Sequence, residues 1–189
     1  MFCKVLLALV ALTTASAQSA PLGFHDVARL VYPDSKSVFA GMHIDAYIPN
    51  ASLARTIDEF IGIPGDDEPV QFGSYAMIDG CRRQSCMEKA AVIVDMRSRS
   101  VAAVALRNYE CRHVVLDDGD IAAMARDSRT RPPVRCNEEP ILDIYVVRRS
   151  LDPASLKDER EQLAQLRQWG SKVGHQGERI KILVRYKLR

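Results

Sequence analysis

The stretch Gly73–Asp95, GSYAMIDGCRRQSCMEKAAVIVD, decides how this chain folds. Two apolar runs, Ser74 to Asp79 and Ala90 to Met96, are rich in residues that suit a pleated, half-buried surface. Between them Cys81 and Cys86 bracket four polar residues, Arg82, Arg83, Gln84 and Ser85. A third run, Val101 to Arg107, follows the polar turn RSRS. Links this short join antiparallel neighbours, because a parallel return takes a dozen or more residues. The three runs predict a meander whose first hairpin loop is the cysteine-bracketed segment.

Outward from the meander the pattern is mixed. Upstream, Ser52 is placed to cap a helix carrying Leu53, Ile57, Phe60 and Ile61 at helical spacing, with Gly62 and Pro64 ending it. The connector PGDDEPVQ, with Asp66, Asp67 and Glu68, reads as a solvated loop. Downstream, DDGDIAAMARDSR reads as a turn and short helix capped by Asp120. It lacks the spaced ligands and closing glutamate of a calcium loop. Ile141 to Val147 reads as a strand. Ser155 and Asp158 match a capping box for a helix carrying Leu156, Leu163 and Leu166, which Gly170 stops or bends. In the C-terminal ERIKILVRYKL, Ile180, Ile182, Val184 and Tyr186 alternate with Lys181, Arg185 and Lys187. That is an edge strand with a cationic outer face. The fold class expected is α+β: a single domain, an antiparallel β-sheet with flanking helices.

The N-terminus sets the compartment. Lys4, an apolar run from Val5 to Leu12 and the small residues Ala15-Ser16-Ala17 predict a signal peptide over 1–17, cut before Gln18. The apolar run is about half the length of a membrane span, so 18–189 is expected to be one exported domain. Cys3 lies in the leader, which leaves Cys81, Cys86, Cys111 and Cys136 in an oxidising compartment where disulfides persist. Four cysteines allow three pairings, and the sequence does not choose among them. Cys81 with Cys86 and Cys111 with Cys136 is preferred, since the first two close a small loop. On the chain-entropy model the two bonds contribute roughly 2 and 3.5 kcal/mol. Of the 26 basic residues one, Lys4, lies in the leader, and the other 25 nearly balance the 24 acidic ones, which argues against nucleic acid or a membrane surface as partner.

No constellation for catalysis assembles, and no catalytic residue, cofactor or metal site is expected. There is no G-x-S-x-G elbow, and His25, His43, His113 and His175 are scattered without ligand spacing. A zinc site built on Cys111, His113 and the other cysteines competes poorly with disulfides in an exported chain. The spacing of Cys81 and Cys86 differs from the C-x-x-C of thiol redox sites, which favours a structural bond. The bracketed residues Arg82, Arg83, Gln84 and Ser85 have no apolar side chain to bury. They are expected to stand in solvent, offering guanidinium and amide donors suited to carboxylates.

YAMIDGCRRQSCMEKAAVIVD followed by SVAAVAL resembles the central segment of the inhibitor of vertebrate lysozyme (Ivy) family. Exported members of that family place a disulfide-bonded loop C-K-P-H-D-C between strands of an antiparallel sheet. The resemblance covers about 53–106. It aligns Cys81 and Cys86 with the bracketing cysteines and Arg82 with the family's basic first position. Arg83 stands at the family's proline, Gln84 at the histidine that meets catalytic carboxylates, and Ser85 at the aspartate. The resemblance implies a periplasmic inhibitor of a lysozyme or lytic transglycosylase-like enzyme, with Arg82, Arg83, Gln84 and Ser85 as its inhibitory loop. The alternatives from the residues alone are an exported disulfide-stabilised domain with an unrelated partner, and a thiol or metal enzyme.

Overall fold

The computed structural model describes residues 22–114, 133–174 and 181–189. The expected leader and the Asp120 helix fall outside these residues. Among them, no helix is long and apolar enough to cross a membrane.

The first helix, α1 (Phe24–Val38), turns Val27, Val31, Ser35 and Val38 inward at helical spacing. The Asp26 carboxylate accepts from the backbone N–H of Gly23 at its start. A two-stranded ribbon of β1 (His43–Ile44) and β2 (Ala51–Ser52) follows, and then α2 (Leu53–Phe60), which buries Leu53, Ala54, Ile57 and Phe60. Ser52 occupies the N-cap position but makes no side-chain cap bond; its carbonyl instead accepts from the Thr56 hydroxyl at 3.0 Å.

Two short strands, β3 (Ile63–Pro64) and β4 (Val70–Phe72), flank the acidic connector. The meander comes next as β5 (Tyr75–Arg82), β6 (Ser85–Asp95) and β7 (Ser100–Asn108). A ribbon of β8 (Cys111–His113) and β9 (Val134–Cys136) precedes β10 (Ile141–Arg148), α3 (Pro153–Val173) and β11 (Lys181–Leu188).

The main sheet runs in the order β11-β10-β7-β6-β5-β3, with β4 also on β5. All its pairs are antiparallel except β10 with β11, which α3 joins as a parallel crossover. Helices α1 and α2 cover one face, packing on Ala90, Val92, Val94 and Val104. Helix α3 covers the other, packing on Ala91, Ile93, Ala103 and Ala105 through Leu166 and Trp169. This sandwich explains why β6 and β7 are apolar without alternation: both faces are buried.

Two local expectations are corrected. The cap of α3 is Asp152, whose carboxylate accepts from the Ser155 N–H at 2.9 Å with Pro153 in the first turn; Asp158 accepts from the Tyr75 hydroxyl at 3.0 Å instead. Gly170 does not stop α3, which runs on to Val173; it is buried inside the helix, where an added Cβ would lie 2.4 Å from Leu142 Cδ2.

Candidate functional site

The β5–β6 hairpin is built by a break in register. Cys81 pairs with Lys89, yet the next residue, Arg82, pairs with Ser85, so Cys86, Met87 and Glu88 bulge from β6. The Cys81–Cys86 disulfide spans this bulge with the two Cα atoms 4.8 Å apart. Arg107, buried on β7, donates through Nη1 to the Met87 carbonyl at 2.6 Å. The Arg82 guanidinium donates twice to Glu88 Oε2, at 3.2 and 3.0 Å, and lies 4.4 Å from the centre of the Tyr47 ring. Tyr47 in turn packs on Phe60 of α2, with ring centres 5.6 Å apart. A covalent bond, a buried cation and an ion pair thus hold one bulge in place.

These braces shorten the exposed tip. Four residues were expected in solvent, but Arg82 is a strand residue with its charge committed to Glu88, and Ser85 is half-buried opposite it. Arg83 and Gln84 alone form the exposed turn. Gln84 has φ of 72°, a left-handed conformation that costs a non-glycine residue about 1 kcal/mol.

The tip also forms one wall of a groove of about 540 Å³. The opposite walls are Phe24 and His25 of α1 and the end of α2, with Asp58 and Ile61. Arg83 packs towards Gly62, where an added Cβ would lie 3.6 Å from its Cγ. Burial raises the Asp58 carboxyl above its ordinary value. The arrangement places the Arg83 and Gln84 donors on one rim and two carboxylates, Asp58 and Glu59, on the other.

The second disulfide, Cys111–Cys136, lies across β8 and β9 with its Cα atoms 4.0 Å apart. The Cys111 N–H donates to the Asp45 carbonyl at 3.0 Å, which ties this ribbon to the segment that carries Tyr47. His113, His25 and His43 are all exposed; His175 lies outside the described residues. Among the described residues, no group of three or more His, Cys, Asp and Glu side chains could hold a metal.

On the α3 face, behind the disulfide, the Trp169 indole donates to Asp79 Oδ2 at 3.0 Å. Burial raises the Asp79 carboxyl; the Trp169 hydrogen bond and Lys89 oppose the shift, and Asp67 and Asp66 add to it. Gly65 leaves room for this carboxylate, since a Cβ there would lie 2.6 Å from both oxygens.

The sequence points to the cysteine-bracketed loop but not to its braces. Glu88 and Tyr47 carry no motif. Beside the disulfide itself, Arg107 carries a sequence signal, as a charged residue closing the apolar run of β7. No protein-family model, curated protein or solved structure matches this chain.

Proposed function

We propose that this protein is an exported inhibitor of a peptidoglycan-cleaving enzyme, of the lysozyme or lytic transglycosylase type, that presents the Arg83–Gln84 turn to the acidic cleft of its target. The observation that carries this reading is the bracing beside that turn: a disulfide, an ion pair and a buried arginine hold the bulge at its base, while Arg83 and Gln84 stay exposed. A rigid tip loses little conformational entropy when a partner immobilises it, so more of its contact energy appears as affinity. Glycosidase clefts hold paired carboxylates. A guanidinium forks onto such a group, and an amide donates to it without charge. The resemblance of 53–106 to the Ivy family supports the same reading, as do two disulfides, which fit a chain folded outside a reducing cytosol. The periplasm is the compartment this function implies.

Arg82 serves this function indirectly, as the residue that fixes the tip. A stapled hairpin with a purely structural role is the competing reading, favoured by the engagement of Arg82 with Glu88 and Tyr47.

Inhibition of a panel of lysozymes and lytic transglycosylases separates the two. The inhibitor reading expects at least one enzyme to be blocked, with loss of potency in the Arg83→Ala, Gln84→Ala double variant and altered potency in Gln84→His. If no enzyme is inhibited, or potency survives in the double variant, the structural reading stands.

A further inference from the structure

We infer that β11 is a docking edge for an extended acidic segment of another protein, which adds to the main sheet as a further strand. The inner side of β11 pairs with β10 at every position from Lys181 to Leu188. Among the described residues, its outer side pairs with nothing. Alternate residues of a paired edge strand turn their N–H and C=O groups outward, so about half of the backbone groups of this eight-residue strand form a template that another extended peptide can pair with.

The side chains state what that peptide must carry. Register with β10 places Ile182, Val184 and Tyr186 on the face shared with Leu142, Ile144 and Val146, under the α3 layer. Val184 packs against the core under α3, but Ile182 stays 47% exposed and Tyr186 48%. The Tyr186 ring is held in place by the Arg148 guanidinium, 4.1 Å from its centre, which itself pairs with Glu159. On the opposite face stand Lys181, Arg185 and Lys187. Arg185 pairs with Asp143 and is half exposed, while Lys181 and Lys187 form no ion pair among the described residues. An incoming strand that alternates acidic and apolar residues meets both faces at once.

The same cations argue against a second copy of this chain as occupant. Antiparallel self-pairing that keeps the helix layers on their own sides brings residues of equal parity opposite one another. Centred on Val184, it sets Lys181 against Lys187; centred on Arg185, it sets that residue against itself; centred on Leu183, it sets Lys181 against Arg185; centred on Tyr186, it sets Arg185 against Lys187. Like charges directly opposite destabilise a strand pair. The edge is therefore open to an acidic strand and closed to itself.

The test uses the mature chain and a short fluorescent peptide of alternating glutamate and valine, with its lysine and valine counterpart as control. Anisotropy should show that the acidic peptide binds and the basic one does not, and hydrogen exchange should show that the outward amides of β11 gain protection on binding. Lys181→Glu with Lys187→Glu should lower affinity for the acidic peptide by about tenfold. Lys181→Gln with Lys187→Gln should fall between, and circular dichroism should report an unchanged fold for both. The inference is overturned by absence of binding, by binding without charge preference, by outward amides already protected in the free monomer, or by a dimer that protects them.

Discussion

Gly80 is where β5 and β3 press closest, and replacing it with alanine tests that packing. An added Cβ would lie 2.4 Å from the Ile63 carbonyl oxygen and 3.0 Å from Ile61 Cα. Both are backbone atoms, so no side chain can rotate away. Relief requires β3 to move, and β3 joins the sheet only through Ile63 with Cys81 and Pro64 with Gly80. Overpacking of this kind costs about 2 kcal/mol, at the centre of the usual range. For a domain of this size that lowers Tm by about 4–8 °C. Gly73→Ala is the control: its φ of 56° is left-handed but nothing lies within 4 Å, so only the conformational term, about 1 kcal/mol, applies. Because Gly62 and Pro64 line the groove beside the tip, Gly80→Ala should also change potency in an inhibition assay, whereas Gly73→Ala should not. Thermal melts followed by circular dichroism decide the stability claim. If Gly80→Ala melts within a degree of wild type, or no lower than Gly73→Ala, the close approach of β3 to β5 is wrong.

Asp79 titrates above its unfolded value in the native state, so folding takes up a proton there. The stability this contributes is complete below the unfolded pKa and is lost as pH rises through the folded one. Asp79→Asn should flatten that slope and raise Tm at neutral pH, with the fluorescence of the single tryptophan, Trp169, reporting unfolding. Asp152→Ala removes the α3 cap bond to Ser155 and should cost about 1 kcal/mol in urea denaturation, while Ser155→Val, which keeps its backbone N–H, should cost less. Glu88→Gln leaves the partly buried Arg82 guanidinium without its carboxylate; hydrogen exchange around residues 82–88 should quicken, and no change would show that the ion pair does not brace the tip.

The meander was legible in the sequence because β6 and β7 are continuous apolar runs separated by a turn too short for any other connection. The C-terminal half of α3 was legible for the same kind of reason, in the spacing of Leu163 and Leu166. Helix α1 was not, because Pro33 interrupts its pattern; in the structure Pro33 lies on the exposed side, and Val27, Val31 and Val38 still face the sheet. The Asp152 cap was missed because Ser155 and Asp158 offered a competing motif three residues later. The parallel direction of β11 depends on α3 crossing the sheet face, which no local pattern encodes. At the candidate site, the tip could be read from two cysteines, but Glu88 follows them without a motif, and Tyr47 and Arg107 are far away in sequence and only the fold brings them to the bulge.

The central claim is that Arg83 meets a catalytic carboxylate of the target enzyme. A double-mutant cycle measures this directly: Arg83→Ala in the inhibitor is combined with conversion of the target's general-acid glutamate to glutamine, and inhibition constants or binding affinities are taken for all four pairs. A desolvated charge pair of this kind predicts a coupling of about 2 kcal/mol, roughly thirtyfold in affinity. Additive effects, with coupling below about 0.5 kcal/mol, would show that Arg83 and the catalytic carboxylate do not touch.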